Sequence, residues 1–208
     1  MTDSNLTLIG ILVDRSGSMI SMKDEMNQAL KSFLEEQSEL EGRVAVSLAH
    51  FDTDYEEVWK MRDIHDLPHY EIKPRYSTAL LDAMGRFMTD IGQDLADRRE
   101  EDRPGKVLIC IITDGAENAS QHWSLNQVKS LVAQQQKDYS WEFLFLGANI
   151  DAVATAQHLG IDPSSALTFS PTRSGVAMAA VSNYVSSYRT TGTADFTQED
   201  RQNATQTK

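Results

Sequence analysis

The chain is poor in several things, and each shortage narrows what it can do. Its 208 residues hold a single cysteine, Cys110, so an intrachain disulfide framework is excluded. Cys110 lies in the apolar run KVLICIITD and reads as a small core residue rather than a nucleophile. No apolar stretch approaches the roughly 20 residues of a membrane span. The opening MTDSNLTLIG lacks a basic segment followed by an apolar one, so no secretory signal is visible and a cytoplasmic location is expected. Basic residues are scarce: 19 Lys+Arg stand against 31 Asp+Glu, a formal charge of −12. Nucleic acids and anionic membranes both call for a basic footprint, and neither is an expected partner. Gly-rich phosphate loops and a G-x-S-x-G elbow are missing as well.

What is present is an ordinary globular mixture, 40% hydrophobic and 24% charged. Short apolar runs alternate with helical periods. Leu6 to Val13 is almost uniformly apolar, as a strand buried on both faces would be. Met22, Met26, Leu30, Phe33 and Leu34 then share one helical face, with Ser21 and Asp24 matching a capping box. Val44 to Phe51 reads as a second strand, and Glu57 to Asp63 as an antiparallel edge strand. The stretch from Ile64 to Ser77, with Pro68 and Pro74, is a connection. Thr78 opens a helix whose inner stripe runs from Leu81 to Leu95, and Asp97 to Arg103 continues it as a solvated end. Val107 to Ile112 is a third buried strand. Ser124 and Gln127 form a capping box, Phe143 to Leu146 and Ala166 to Phe169 are further strands, and Val176 to Tyr188 is the last helix.

This order predicts an α/β fold: a Rossmann-like, doubly wound, mostly parallel sheet with one antiparallel edge strand and helices on both faces. One domain is expected over 1–192, followed by a frayed polar tail over 193–208. In such sheets ligands gather at the carboxyl ends of the strands.

Those ends carry the chemistry. Asp14-Arg15-Ser16-Gly17-Ser18 follows the first strand, Thr113-Asp114-Gly115 follows the third parallel strand, and Ser77-Thr78 stands at a helix start. All the candidate donors are hard oxygens, with no His or Cys among them. Such a set of low total charge suits Mg²⁺ or Mn²⁺ better than zinc or copper.

Asp14-x-Ser16-x-Ser18, then Thr78, then Asp114 resemble the five positions of the metal-ion-dependent adhesion site of von Willebrand factor type A domains. The words ILVDRSGSM, STALLDAM and IITDGAEN agree, and the likeness runs from about Leu6 to Thr190. The motif is strong because the parts occur together and in order; D-x-S-x-S alone is weak. The resemblance is to stand-alone microbial or phage-type members. It implies that Ser16 and Ser18 hold the metal through their hydroxyls. Asp14 would act through water, and Thr78 and Asp114 directly or through water. Mg²⁺ is the implied ion, with Mn²⁺ or Ca²⁺ as alternatives. It further implies that another protein completes the coordination with an Asp or Glu carboxylate, and that the last helix can shift when it does.

Arg15, Met19, Tyr76, Ser77, Glu117 and Asn118 flank these positions and are the candidates for the partner-binding face. Arg15 would pair with an acidic partner or be a solvated loop charge. His50, Asp52 and Asp54 are either a second cation site or turn residues making local bonds. The reading is a non-enzymatic, metal-dependent protein-interaction module. The alternatives are a metal-stabilised scaffold subunit beside an ATPase or stress-response system and, more remotely, an Mg²⁺-dependent phosphohydrolase. For the last, a phosphatase with an aspartate after its first strand needs an acid two residues on, where Ser16 stands.

Overall fold

In the computed structural model, which describes residues 1–206, the alternation becomes one six-stranded sheet. The strands are β1 (Asp3–Asp14), β2 (Arg43–Phe51), β3 (Tyr55–Asp63), β4 (Pro104–Thr113), β5 (Glu142–Ala148) and β6 (Ala166–Phe169). Their spatial order is β3-β2-β1-β4-β5-β6. Only β3 runs antiparallel, against β2. The α/β expectation therefore holds, edge strand included.

The helices are α1 (Lys23–Ser38), α2 (Leu80–Ala96), α3 (Leu125–Tyr139), α4 (Ala152–Leu159), α5 (Ser174–Thr191) and α6 (Gln198–Thr205). Alternate strand residues feed two cores, as a period of two requires. Ile9, Ile11 and Val13 of β1 pack with Met26, Leu30 and Phe33 of α1 and Val181 and Val185 of α5. Leu8 and Leu12 pack on the other face with Met84, Phe87 and Ile91 of α2 and Val128 of α3. Between them, Gly10 lets α2 approach the strand: a β-carbon there would lie 2.6 Å from Ile109 Cδ1 and 3.2 Å from Phe87 Cε1. Each large apolar side chain buried this way is worth about 1.5–3 kcal/mol relative to exposure. The smaller Cys110 is buried in the same core, and burial alone pushes its thiol up to about 12.

Local details depart from the sequence reading. The Ser21–Asp24 capping box does not form. Gly17–Ser21 winds as a 3-10 turn, and α1 starts after Met22 with no side-chain cap. Thr78 does not open α2, which begins at Leu80; its cap comes from a distant loop, described below. The Asp97–Arg103 run is not a helical extension, since α2 stops at Ala96 and a separate 3-10 turn covers Glu100–Asp102. The Ser124–Gln127 capping box is present.

The segment expected to fray instead folds back. Phe196 packs on Tyr184 with ring centroids 4.9 Å apart, and its N–H donates to the Ser164 carbonyl. Thr197 and Asp200 cap α6 reciprocally, and Ala204 is fully buried. Arg201 donates to the carbonyls of Ala166, Pro163 and Ser164 beside β6. The last two residues of the expected tail, 207–208, lie outside the described residues.

Among the described residues no helix is long and apolar enough to cross a membrane.

Candidate metal centre

The strand order reverses between β1 and β4, which are neighbours in space but separated in sequence by β2 and β3. A crevice opens at the carboxyl end of such a reversal. Asp14 ends β1 and Thr113 ends β4, so D-R-S-G-S and T-D-G face each other across it. The topology thus joins segments a hundred residues apart.

The Asp14 carboxylate is fully buried. One oxygen accepts the Ser16 N–H at 2.6 Å and the other accepts the Thr113 hydroxyl at 2.6 Å. Ser18 Oγ donates to Asp114 Oδ1 at 2.7 Å, which uses its only proton. Ser16 Oγ, 3.0 Å from Ser18 Oγ, must therefore be the donor of that pair. Three of the five motif side chains are thus linked oxygen to oxygen. Thr78 belongs to the same cradle: a β-carbon added at Gly115, next to Asp114, would come 3.0 Å from Thr78 Oγ1.

The electrostatics favour a cation beside these two carboxylates. Burial pushes the Asp14 carboxyl up to about 6 against the hydrogen bonds from Thr113 and Ser16, with Asp114 adding repulsion. Burial also raises Asp114, against its bond from Ser18. Among the described residues neither carboxylate makes an ion pair; the nearby guanidiniums of Arg15 and Arg75 pair with Asp52 instead. Two carboxylates and three hydroxyls suit a hard divalent cation. Among the described residues no group of three or more His, Cys, Asp or Glu gathers as a metal site, so any ion here relies on the hydroxyls.

The loops are braced by backbone and side chain. Gly17 N–H donates to the Tyr76 carbonyl, Arg75 N–H to the Arg15 carbonyl, and Ala79 N–H to the Asp52 carbonyl. Thr78 and Asn118 exchange two bonds: Thr78 N–H donates to Asn118 Oδ1, and Asn118 N–H to the Thr78 carbonyl, each at 3.1 Å.

The flanking candidates divide. Tyr76, Ser77 and Asn118 are exposed at the rim. Met19 is fully buried in the α1 core and does not face a partner. Glu117 is spent on the chain itself, accepting from the N–H groups of Leu81, Ala119 and Ser120 and from the Ser120 hydroxyl. It supplies the missing cap of α2, which explains why no local cap was visible at Thr78.

Arg15 is neither solvated nor directed at a partner; it is only 4% exposed. Its side chain turns inward. Nη1 donates to His50 Nε2 at 2.5 Å and to Glu56 Oε2 at 3.1 Å, and Nε lies 2.9 Å from Asp52 Oδ2. The Nε contact has the distance of an ion pair without hydrogen-bond geometry, so it contributes charge attraction only. His50, accepting from a guanidinium, must be neutral, and burial lowers its pKa. Asp52 is completed by Arg75 Nε at 2.6 Å and the Asp54 N–H at 2.7 Å. His50, Asp52 and Asp54 therefore form a braced turn holding Arg15, as the turn alternative expects, and Asp52 already has its cations.

A model of the von Willebrand factor type A domain matches residues 9–194. The chain belongs to that family. No curated protein matches the sequence. Among solved structures it is similar to proximal thread matrix protein 1 from the mussel byssus, at 14% identity and a TM-score of 0.63, covering 89% of this chain and 48% of that one. A form of that protein with a zinc-occupied adhesion-site motif aligns at a TM-score of 0.62 with 14% identity, over 88% of this chain and 47% of that one. The pilus adhesin SpaC from Lactobacillus rhamnosus GG aligns at 0.65 with 15% identity, over 86% of this chain and 30% of that one. This chain thus spans about half of the byssus protein or less, and such identities show the shared fold.

Proposed function

We propose that the chain is a metal-dependent protein-interaction module. Asp14, Ser16, Ser18, Thr78 and Asp114 hold a divalent cation, Mg²⁺ first and Mn²⁺ or Ca²⁺ as substitutes. The observation that carries this reading is Asp14: fully buried, ionisable, and bonded only by neutral donors. The zinc-occupied motif of the byssus relative supports a divalent ion in this fold. When bound, the metal supplies a positive centre with a replaceable coordination position that takes a carboxylate.

The protein's residues do the rest. Ser16 N–H and the Thr113 hydroxyl fix both oxygens of Asp14, which holds the Ser16-Gly17-Ser18 turn. Ser18 and Asp114 converge from opposite sides of the crevice. Asn118 fixes the backbone at Thr78. An Asp or Glu from another protein approaches this face, and the matrix and adhesin relatives support a role in recognition rather than catalysis.

The test is affinity capture by wild type and Asp14→Ala, each with Mg²⁺ and with EDTA. A partner held only by wild type in Mg²⁺ supports the reading. Equal retention in all four arms sinks it.

A further inference from the structure

Two of the most exposed large apolar side chains stand at the metal face. Ile20 is 68% exposed and Tyr76 66% exposed. Ile20 belongs to the 3-10 turn that carries Ser18. Tyr76 precedes Ser77-Thr78, and its carbonyl accepts the Gly17 N–H at 3.0 Å, so the two side chains sit on loops tied directly together.

Tyr76 is also held in a costly conformation. Its φ is +54°, in the left-handed region that bulky residues avoid. The other non-glycine residues with positive φ have local reasons. Ser140 caps α3, Asn149 is a type that tolerates the region, and Met61 lies where β3 shifts register against β2. Tyr76 serves no helix end and no bulge. Its backbone is pinned on both sides, by Gly17 N–H on its own carbonyl and by Arg75 N–H on the Arg15 carbonyl. The ring is backed by the Arg75 guanidinium, 5.2 Å from its centroid, and Asp52 and Asp54 anchor that guanidinium in turn. An aromatic ring kept in water by a strained, braced backbone is a preorganised contact.

We propose that Ile20 and Tyr76 form an apolar rim to the metal centre that selects the partner. This rests on the reading of the site as a carboxylate-binding metal centre and specifies what surrounds the carboxylate. The partner is a protein segment whose metal-seeking Asp or Glu has an apolar or aromatic residue beside it or one position removed. A uniformly acidic segment is disfavoured, because it would meet the chain's own charge of −12 and leave both side chains in water. Burying a Tyr ring and an Ile at the edge of one ionic contact follows the common design of a few anchors around a specific polar pair.

The experiment selects a random-peptide phage library on immobilised wild-type protein in Mg²⁺ and elutes with EDTA, with Asp14→Ala as the control. The expected sequences carry one Asp or Glu with an adjacent apolar or aromatic residue. Synthetic versions should bind Ile20→Ser and Tyr76→Asn about tenfold more weakly than wild type. Tyr76→Phe should bind like wild type, and the Mg²⁺-induced thermal shift should be unchanged in all three. Asn suits the left-handed backbone, so Tyr76→Asn keeps the loop. EDTA-eluted acidic peptides without apolar neighbours, or equal binding by the variants, overturn the rim while leaving the metal reading intact. Peptides that survive EDTA, that Asp14→Ala selects equally, or that never appear overturn the metal reading and the rim with it.

Discussion

Two buried aspartates end adjacent strands of the same sheet and have opposite characters. Asp14 closes β1 and Asp52 directly follows β2; neither is accessible to water. Asp52 sits against two guanidiniums, Arg15 and Arg75, and accepts the Asp54 N–H. Burial would raise its pKa, but those partners outweigh it and hold the carboxyl below its usual value. Asp14 has an N–H and a hydroxyl, no cation, and a carboxyl pushed up to about 6. The contrast separates a carboxylate neutralised by guanidiniums from one bonded by an N–H and a hydroxyl. Burial is common to both; the kind of donor decides which is structural and which is a candidate ligand.

The largest effect expected from breaking this contrast is at Asp52. Asp52→Ala leaves Arg15 buried without its one buried counter-charge among the described residues, Glu56 being exposed, which should cost about 3–5 kcal/mol. Urea unfolding measures it, and the loss should be the same in Mg²⁺ and in EDTA. A change under 1 kcal/mol would mean that Arg15 readily finds other partners.

Asp14→Asn should behave in the opposite way in EDTA. A carboxyl raised in the folded state contributes stability at low pH and loses it as pH climbs through the folded value. For Asp14 that window runs from the ordinary value of 3.8 to about 6. Wild type and variant should be equally stable near pH 4, and the variant should lead by up to about 3 kcal/mol at pH 7. Parallel stability curves from pH 4 to pH 7 would show that Asp14 is not strained by its charge.

Added Mg²⁺ should remove this deficit. At a concentration of about 100 Kd, wild type gains about 2.7 kcal/mol, seen as a higher thermal midpoint, and Asp14→Asn gains far less. The gain should shrink below pH 6 as protons compete for Asp14. The smallest effect is at the supporting hydroxyl. Thr113→Val deprives Asp14 of one donor and should cost about 1–2 kcal/mol, with weaker Mg²⁺ binding at fixed pH. Calorimetric titration distinguishes this from a change confined to stability.

Much of this was legible in the sequence. The alternation of strands and helices, the antiparallel edge and the placing of Asp14 and Asp114 at one edge of the sheet follow from the apolar runs and from where chemistry-bearing residues end them; the spatial order of the strands does not. What escaped depended on distant partners. Arg15 looks like a loop charge until β2 and β3 bring Asp52 and Glu56 beneath it. Glu117 looks like a rim residue until α2 presents N–H groups that need an acceptor. Ile20 gave a signal that was available, an apolar residue just past D-x-S-x-S with no helical face to join. The helix after Phe196 also had a local sign, the Thr197-x-x-Asp200 box, masked by a composition poor in apolar residues.

That helix has a consequence for handling the molecule. The family match stops at residue 194, just before Phe196 and α6. A chain cut there would lose Arg201 from the Ala166 carbonyl, Ala204 from its buried seat and Phe196 from Tyr184. It would bare the last strand along its outer side. An uncovered strand edge is a template for a second sheet. Loss of the short polar helix would therefore favour edge-to-edge association, and a minimal domain drawn at the family boundary is expected to self-associate, which its elution volume against that of the full chain would reveal.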